Sequence, residues 1–168
     1  MSALPAIGML LDSYGPGGAE RMALQLSREL RDRGHQVVPV GIRTPTGEGW
    51  LHREYRRAGF TPEILELRRA VDPGFARALR VTLRRRGVQV AHAHEFTFAF
   101  YGAMAGVPLV VTMHGGTGFA GAFRRRVALG WAARRASAVV AVSDAAADHL
   151  ARAVGLPRGR IAIVPNGV

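Results

Sequence analysis

Seven short apolar runs, each separated from the next by a longer stretch with helical spacing, restrict what this chain can become. The runs are Ile7–Leu11, Gln36–Ile42, Glu63–Leu67, Val88–His92, Leu109–Met113, Ala138–Val142 and Ile161–Val164. Several are apolar nearly throughout, as strands must be when helices cover both faces of their sheet. Strand–helix alternation of this kind implies right-handed crossovers. The expected fold class is α/β, a doubly wound, mostly parallel, Rossmann-like sheet of about seven strands.

The intervening helices have readable ends. One is expected over 18–33, with Ala19, Met22, Ala23, Leu26 and Leu30 on one stripe, Glu20 at its positive end and Gly34 as its stop. Another opens with Asp72 as N-cap and Pro73 in its first turn, buries Phe75, Leu79 and Leu83, and ends at Gly87. Further helices fit 98–105, 122–136 and 144–154, the last capped by Ser143. In the fifth, Phe123, Val127 and Trp131 make an apolar stripe among scattered arginines, which predicts a core-docked helix with a basic exterior.

An open parallel sheet binds its ligands outside the carboxyl ends of the strands. After the first strand stands DSYGPGGAE, in which Gly15, Gly17 and Gly18 crowd the mouth of the first helix. A helix start presents unpaired N–H groups and about half a positive charge, and glycines there let an anion such as a phosphate reach the amides. A tight turn needing positive φ is the plainer alternative. After the fourth strand comes AHAHEF, placing His94 and Glu95 at the crevice edge with His92 packed or hydrogen-bonded behind. After the fifth comes MHGG, whose His114 points to the crevice and whose Gly115 lines it; Ser143 follows the sixth. His35 reads as structural.

Composition narrows the chemistry. The 168 residues suit one domain. Cysteine is absent, so disulfides and thiolate metal sites are excluded. The histidines lack further ligands at a persuasive spacing, and no metal is expected. All 23 basic residues are arginines, for a formal net charge of +11, which favours anionic partners. Without lysine the phosphate loop GxxxxGK[ST] cannot occur. The glycines also miss the GxGxxG dinucleotide fingerprint, although Arg43 suits a 2′-phosphate and keeps an NADP-binding oxidoreductase domain as an alternative. Arginine runs at 84–86 and 124–126 suggest an anionic membrane surface, and a non-catalytic membrane- or anion-binding module is a second alternative. Nothing resembles a nucleic-acid platform. No apolar run reaches the ~18 residues a membrane span needs, and a cytoplasmic location, with peripheral contact at the inner face of the membrane, is expected.

In order along the chain stand GGAE, GHxV, HAH, TMHG, AVSD and PNGV. Together they resemble the N-terminal, acceptor-side half of a family 4 glycosyltransferase of GT-B architecture. The resemblance implies two Rossmann-like domains facing a cleft, and transfer of a sugar from a nucleotide-diphosphate donor, with retention, to a glycan, lipid or small-molecule acceptor without a metal. By the same resemblance Gly17 and Gly18 approach the donor diphosphate, His114 lies near the transferring sugar, and Ser143 lines the cleft. The nucleotide-binding C-terminal domain and its glutamate pair have no counterpart in these residues. The chain is therefore expected to be a fragment or one partner of two, inactive by itself.

Overall fold

The computed structural model describes residues 4–12, 15–43, 49–114 and 123–167. Its strands are β1 (Ile7–Leu11), β2 (Val37–Ile42), β3 (Glu63–Leu65), β4 (Val90–His94), β5 (Leu109–Met113), β6 (Ala138–Ala141) and β7 (Ile161–Ile163). They form one all-parallel sheet in the order β3-β2-β1-β4-β5-β6-β7. The order reverses between β1 and β4, and a parallel sheet opens its crevice at such a switch point.

Six helices connect the strands: α1 (Gly18–Asp32), α2 (Trp50–Arg57), α3 (Pro73–Arg85), α4 (Phe96–Gly102), α5 (Phe123–Arg135) and α6 (Asp144–Val154). Strand residues alternate between the faces. Met9, Leu11 and Val37 pack with Ala23, Leu24, Leu51, Tyr55 and Phe60 from the α1/α2 side. Leu10, Val38, Val40, Ala93, Val111 and Val139 pack on the other side beneath α3 to α6. Each fully buried Leu, Val or Phe contributes roughly 1.5–3 kcal/mol by leaving water.

Local signals set several boundaries. Asp72 caps α3 by accepting from the Phe75 N–H at 3.1 Å, and Ser143 caps α6 by accepting from the Ala146 N–H. Gly34 and Gly87 take positive φ where α1 and α3 stop. His35 is structural, its Nδ1 lying 3.0 Å from the Pro5 carbonyl.

Three features differ from expectation. Helix α2 carries four charged residues in eight and spans barely two turns, so its apolar residues are few; it forms because Leu51 and Tyr55, one turn apart, are buried against α1. The fourth strand runs two residues later than expected, because the Val88 N–H bonds the Leu83 carbonyl and the strand begins only after that turn closes. The third difference is the face of α5. Leu129, Gly130, Ala132 and Ala133 are buried, whereas Phe123, Val127 and Trp131 are 73%, 55% and 38% exposed. The reason is close approach: a Cβ on Gly130 would meet the Val154 carbonyl oxygen of α6 at 2.9 Å. Only a glycine-sized residue fits at position 130, which draws the Leu129, Ala132 and Ala133 face inward and leaves Phe123, Val127 and Trp131 outside.

Candidate functional site

The carboxyl ends of β1, β4 and β5 meet the start of α1, and there the chain concentrates polar groups inside an apolar sheet. Register explains the convergence. His94 stands beside Leu11 of β1 and Thr112 of β5, and alternation puts His92, His94, Thr112 and His114 on the α1 side.

The histidines form a line. His92 Nε2 lies 2.7 Å from the Thr112 hydroxyl. His94 Nδ1 lies 2.9 Å from His114 Nε2, and His94 Nε2 lies 2.9 Å from the Met9 sulfur. The His94 and His114 rings are 22° from coplanar with centroids 5.2 Å apart, so they meet edge to edge. Burial disfavours the imidazolium in all three. It holds His92 down to about 4, His94 well below the ordinary range, and His114 low despite the opposing pull of the Glu20 carboxylate. At neutral pH the line is uncharged. His114 Nδ1 is buried with no hydrogen-bond partner among the described residues.

Around the line stand carboxylates. Asp12 accepts from the N–H groups of Thr97 at 2.8 Å and Phe98 at 3.0 Å, capping α4 from the end of β1. Burial raises its pKa against these hydrogen bonds. Glu95 accepts from the His114 N–H at 3.3 Å, and burial, with help from the charges of Asp12 and Glu20, raises it too. Glu95 has φ 70° and ψ −173°, a region that costs a non-glycine residue about 1–3 kcal/mol.

At the helix mouth, Gly17 is the N-cap of α1 with φ −108° and ψ 171°, and among the described residues no side chain caps the turn. That conformation is open to any residue, so the backbone does not demand glycine there. A Cβ at position 17 would meet only the flexible carboxylate end of Glu20, which can move aside, and the position beside Gly18 is empty.

Among the expected site residues, Gly17, Gly18, Glu95 and His114 come together at this edge. His94 lies one layer deeper, 1% exposed, and reaches the crevice only through His114. Ser143 sits at the end of β6 with its oxygen engaged in capping. Gly115 lies outside the described residues. Asp12, Met9 and Glu20 also belong to the site; the position of Asp12 directly after the first strand was the available signal. Among the described residues no group of three or more His, Asp or Glu is placed to hold a metal ion.

A second hollow of about 340 Å³ opens between α1 and the segment after β7, lined chiefly by Met22, Leu26, His92, Val140, Val164 and Pro165. No helix among the described residues is long and apolar enough to cross a membrane.

The sequence profile of Glycosyltransferase Family 4 matches residues 16–168. No curated protein matches the chain. Among solved structures, a glycosyltransferase from Rickettsia africae ESF-5 superposes with TM-score 0.68 at 17% identity, over 98% of this chain and 44% of that one. The lipopolysaccharide outer core galactosyltransferase WaaB gives 0.69 at 12%, over 97% and 46%. A UDP-GlcNAc 2-epimerase from Methanocaldococcus jannaschii gives 0.65 at 13%, over 96% and 45%. At these identities the likeness is one of fold, the N-terminal half of a GT-B architecture. The chain spans less than half the length of each.

Proposed function

Because the chain belongs to Glycosyltransferase Family 4, we propose that it is the acceptor-side half of an enzyme that transfers a sugar, with retention, from a nucleotide-diphosphate donor to a glycan, lipid or small-molecule acceptor. The observation that carries this is a helix start at Gly17 and Gly18 that no side chain caps among the described residues, near His114, whose buried Nδ1 has no hydrogen-bond partner among them. Leaving-group departure builds negative charge on the diphosphate, and preorganised main-chain amides stabilise such charge by several kcal/mol. The Glu20 carboxylate leans over Gly17 in the place a diphosphate oxygen takes, so donor binding swings it aside. His114 orients the sugar through its hydroxyls. Membership of a transferase family removes the reason for an NADP-binding reading.

The remaining partner is a second, nucleotide-binding domain, with which the chain turns over and without which it does not. The length of the GT-B relatives supports it, and the apolar hollow beside α1 and Val164 offers it a seat. No metal cofactor enters.

The acceptor side also docks on an anionic membrane surface. Phe123, Val127 and Trp131 stand exposed on α5 beside Phe100 and Met104 of the α4 region, around a hollow of about 490 Å³. Arg124 lines it, and the Arg135 guanidinium stands 5.2 Å from the Trp131 ring. Aromatic groups amid arginines suit an interface where the rings enter the headgroup boundary and the guanidinium groups meet lipid phosphates. Vesicles of phosphatidylglycerol should bind the chain, vesicles of phosphatidylcholine should not, and salt should release it. Binding indifferent to Phe123→Ser with Trp131→Ala counts against this face.

The central reading is tested by titrating nucleotide-diphosphate sugars while following backbone amides. Shifts should gather at Gly17, Gly18 and His114, with no product formed by the chain alone. Transfer by this chain without a second domain, or shifts confined to other surfaces, would overturn the assignment.

A further inference from the structure

We propose that Met9 and His94 are positioning residues that fix the proton of His114 on Nε2 and leave its buried Nδ1, beside the crevice, as a bare hydrogen-bond acceptor.

Proton counting along the buried line leads there. A thioether sulfur accepts hydrogen bonds weakly and has nothing to donate. A neutral imidazole carries one N–H, and the hydrogen bond made by one nitrogen decides the state of the other. His94 Nε2 sits 2.9 Å from the Met9 sulfur, too close for a water to stand between two lone pairs, and both side chains are fully enclosed. The proton of His94 therefore belongs on Nε2. Its Nδ1 is left bare and can only accept, and the atom 2.9 Å away is His114 Nε2, which must then carry the second proton. The edge-to-edge approach of the two rings suits this bond. The last lone pair falls on His114 Nδ1, the buried nitrogen with no partner among the described residues. In the opposite arrangement the lone pairs of sulfur and Nε2 would face each other in a dry core.

Burial keeps the histidines uncharged near neutral pH, so each contributes one proton and no more. His92 is held separately through Thr112 and leaves the count unchanged.

The consequence is a selection rule for the crevice. A bare Nδ1 takes a hydrogen bond from an O–H and repels a phosphate oxygen or a carbonyl. The two ends of the crevice then have opposite polarity: amides that donate at Gly17 and Gly18, a nitrogen that accepts at His114. That polarity suits a ligand with an anionic end and a hydroxyl-bearing end. The sugar hydroxyl as that donor rests on the glycosyl-transfer reading above; the placement of the protons does not.

Nitrogen-15 shifts of the imidazole rings separate protonated from bare nitrogens, and two-bond correlations assign the tautomers in the ligand-free chain at pH 7.5. His94 and His114 should both appear as the Nε2–H form. A His114 that carries its proton on Nδ1 overturns the proposal. Met9→Leu keeps the volume, a swap that buried cores tolerate, and it removes the acceptor. The proton of His94 should then move to Nδ1, and that of His114 should follow to its own Nδ1. Unchanged tautomers in a folded Met9→Leu chain overturn the role of Met9. UDP-glucose serves as the ligand probe, with UDP as the control lacking the sugar. UDP-glucose should shift His114 Nδ1 further than UDP does. Equal shifts with the stated tautomers intact leave the proton arrangement standing and overturn the sugar assignment.

Discussion

Asp12 accepts a hydrogen bond from the Thr97 N–H at 2.8 Å, although 85 residues separate them. With a second bond from Phe98, one carboxylate at the end of β1 closes the start of α4 and ties the two strands flanking the crevice. Removing a helix cap costs about 0.5–2 kcal/mol, and an unsatisfied buried N–H adds about 1–3. Asp12→Ala should lower the unfolding free energy by about 2–3 kcal/mol in urea titrations and speed hydrogen exchange at Thr97 and Phe98. Asp12→Asn keeps an acceptor oxygen and should lose less. Equal losses for the two would show that packing, not capping, is at stake.

The neutral histidines make stability depend on acid. The unfolded chain protonates its histidines near 6.5, while His92 in the fold waits until about 4 and His94 and His114 are also depressed. Between those limits the unfolded state binds more protons, so stability is full above pH 6.5 and falls as pH drops through that window. At about 1.4 kcal/mol per pH unit, His92 alone loses on the order of 3 kcal/mol by pH 4. Asp12 and Glu95, whose folded pKa values are raised, act oppositely, and their contribution grows as pH falls through the carboxylate range. The urea midpoint should therefore drop steadily from about pH 6.5 towards pH 4, with Asp12 and Glu95 softening the slope at the acid end. A midpoint that holds constant down to pH 5 would contradict neutral histidines in the core.

Some of this was legible in the sequence because the signals were local. Asp72 and Pro73 announce α3 within four residues, and the apolar run at 109–113 needs no context to read as a buried strand. What was hidden depends on distant partners. The apolar stripe of α5 satisfies helical periodicity, yet Gly130 against Val154 decides which face goes inside, and periodicity contains no record of α6. Spacing alone reads His94 as a rim residue, whereas hydrogen bonding of the turn before β4 to Leu83 and Ala6 carries the strand two residues further and takes His94 inside. The Met9–His94–His114 line joins strands that the chain order separates by more than eighty residues. No spacing rule reaches that far.

Gly17 offers a test of space against conformation. Its backbone is extended, so valine fits its dihedrals, and the nearest obstacle is the flexible end of Glu20. Gly17→Val should therefore leave stability within about 1 kcal/mol of the parent. Binding of a nucleotide-diphosphate sugar, measured by calorimetry with the second domain present, should weaken tenfold or more, about 1.4 kcal/mol. Gly17→Ala should fall between. Unaltered affinity in the valine variant would remove the diphosphate from this helix mouth.

Glu95 offers the complementary test, of conformation against contact. Its side chain accepts from the His114 N–H, while its main chain sits at φ 70° and ψ −173°. Glu95→Ala discards the hydrogen bond and keeps the strain; Glu95→Gly discards both. Glycine occupies this region without penalty, whereas other residues give up about 1–3 kcal/mol. The glycine variant should therefore be the more stable of the two by at least about 1 kcal/mol in matched urea titrations, even though glycine elsewhere loses more entropy on folding. Transfer by the assembled enzyme should move the other way from stability: Glu95→Gly frees the turn that presents His114, and its kcat should fall below that of Glu95→Ala. If the alanine variant equals or exceeds glycine in stability, the turn is relaxed, and the crevice geometry is set by the β4–β5 ladder alone.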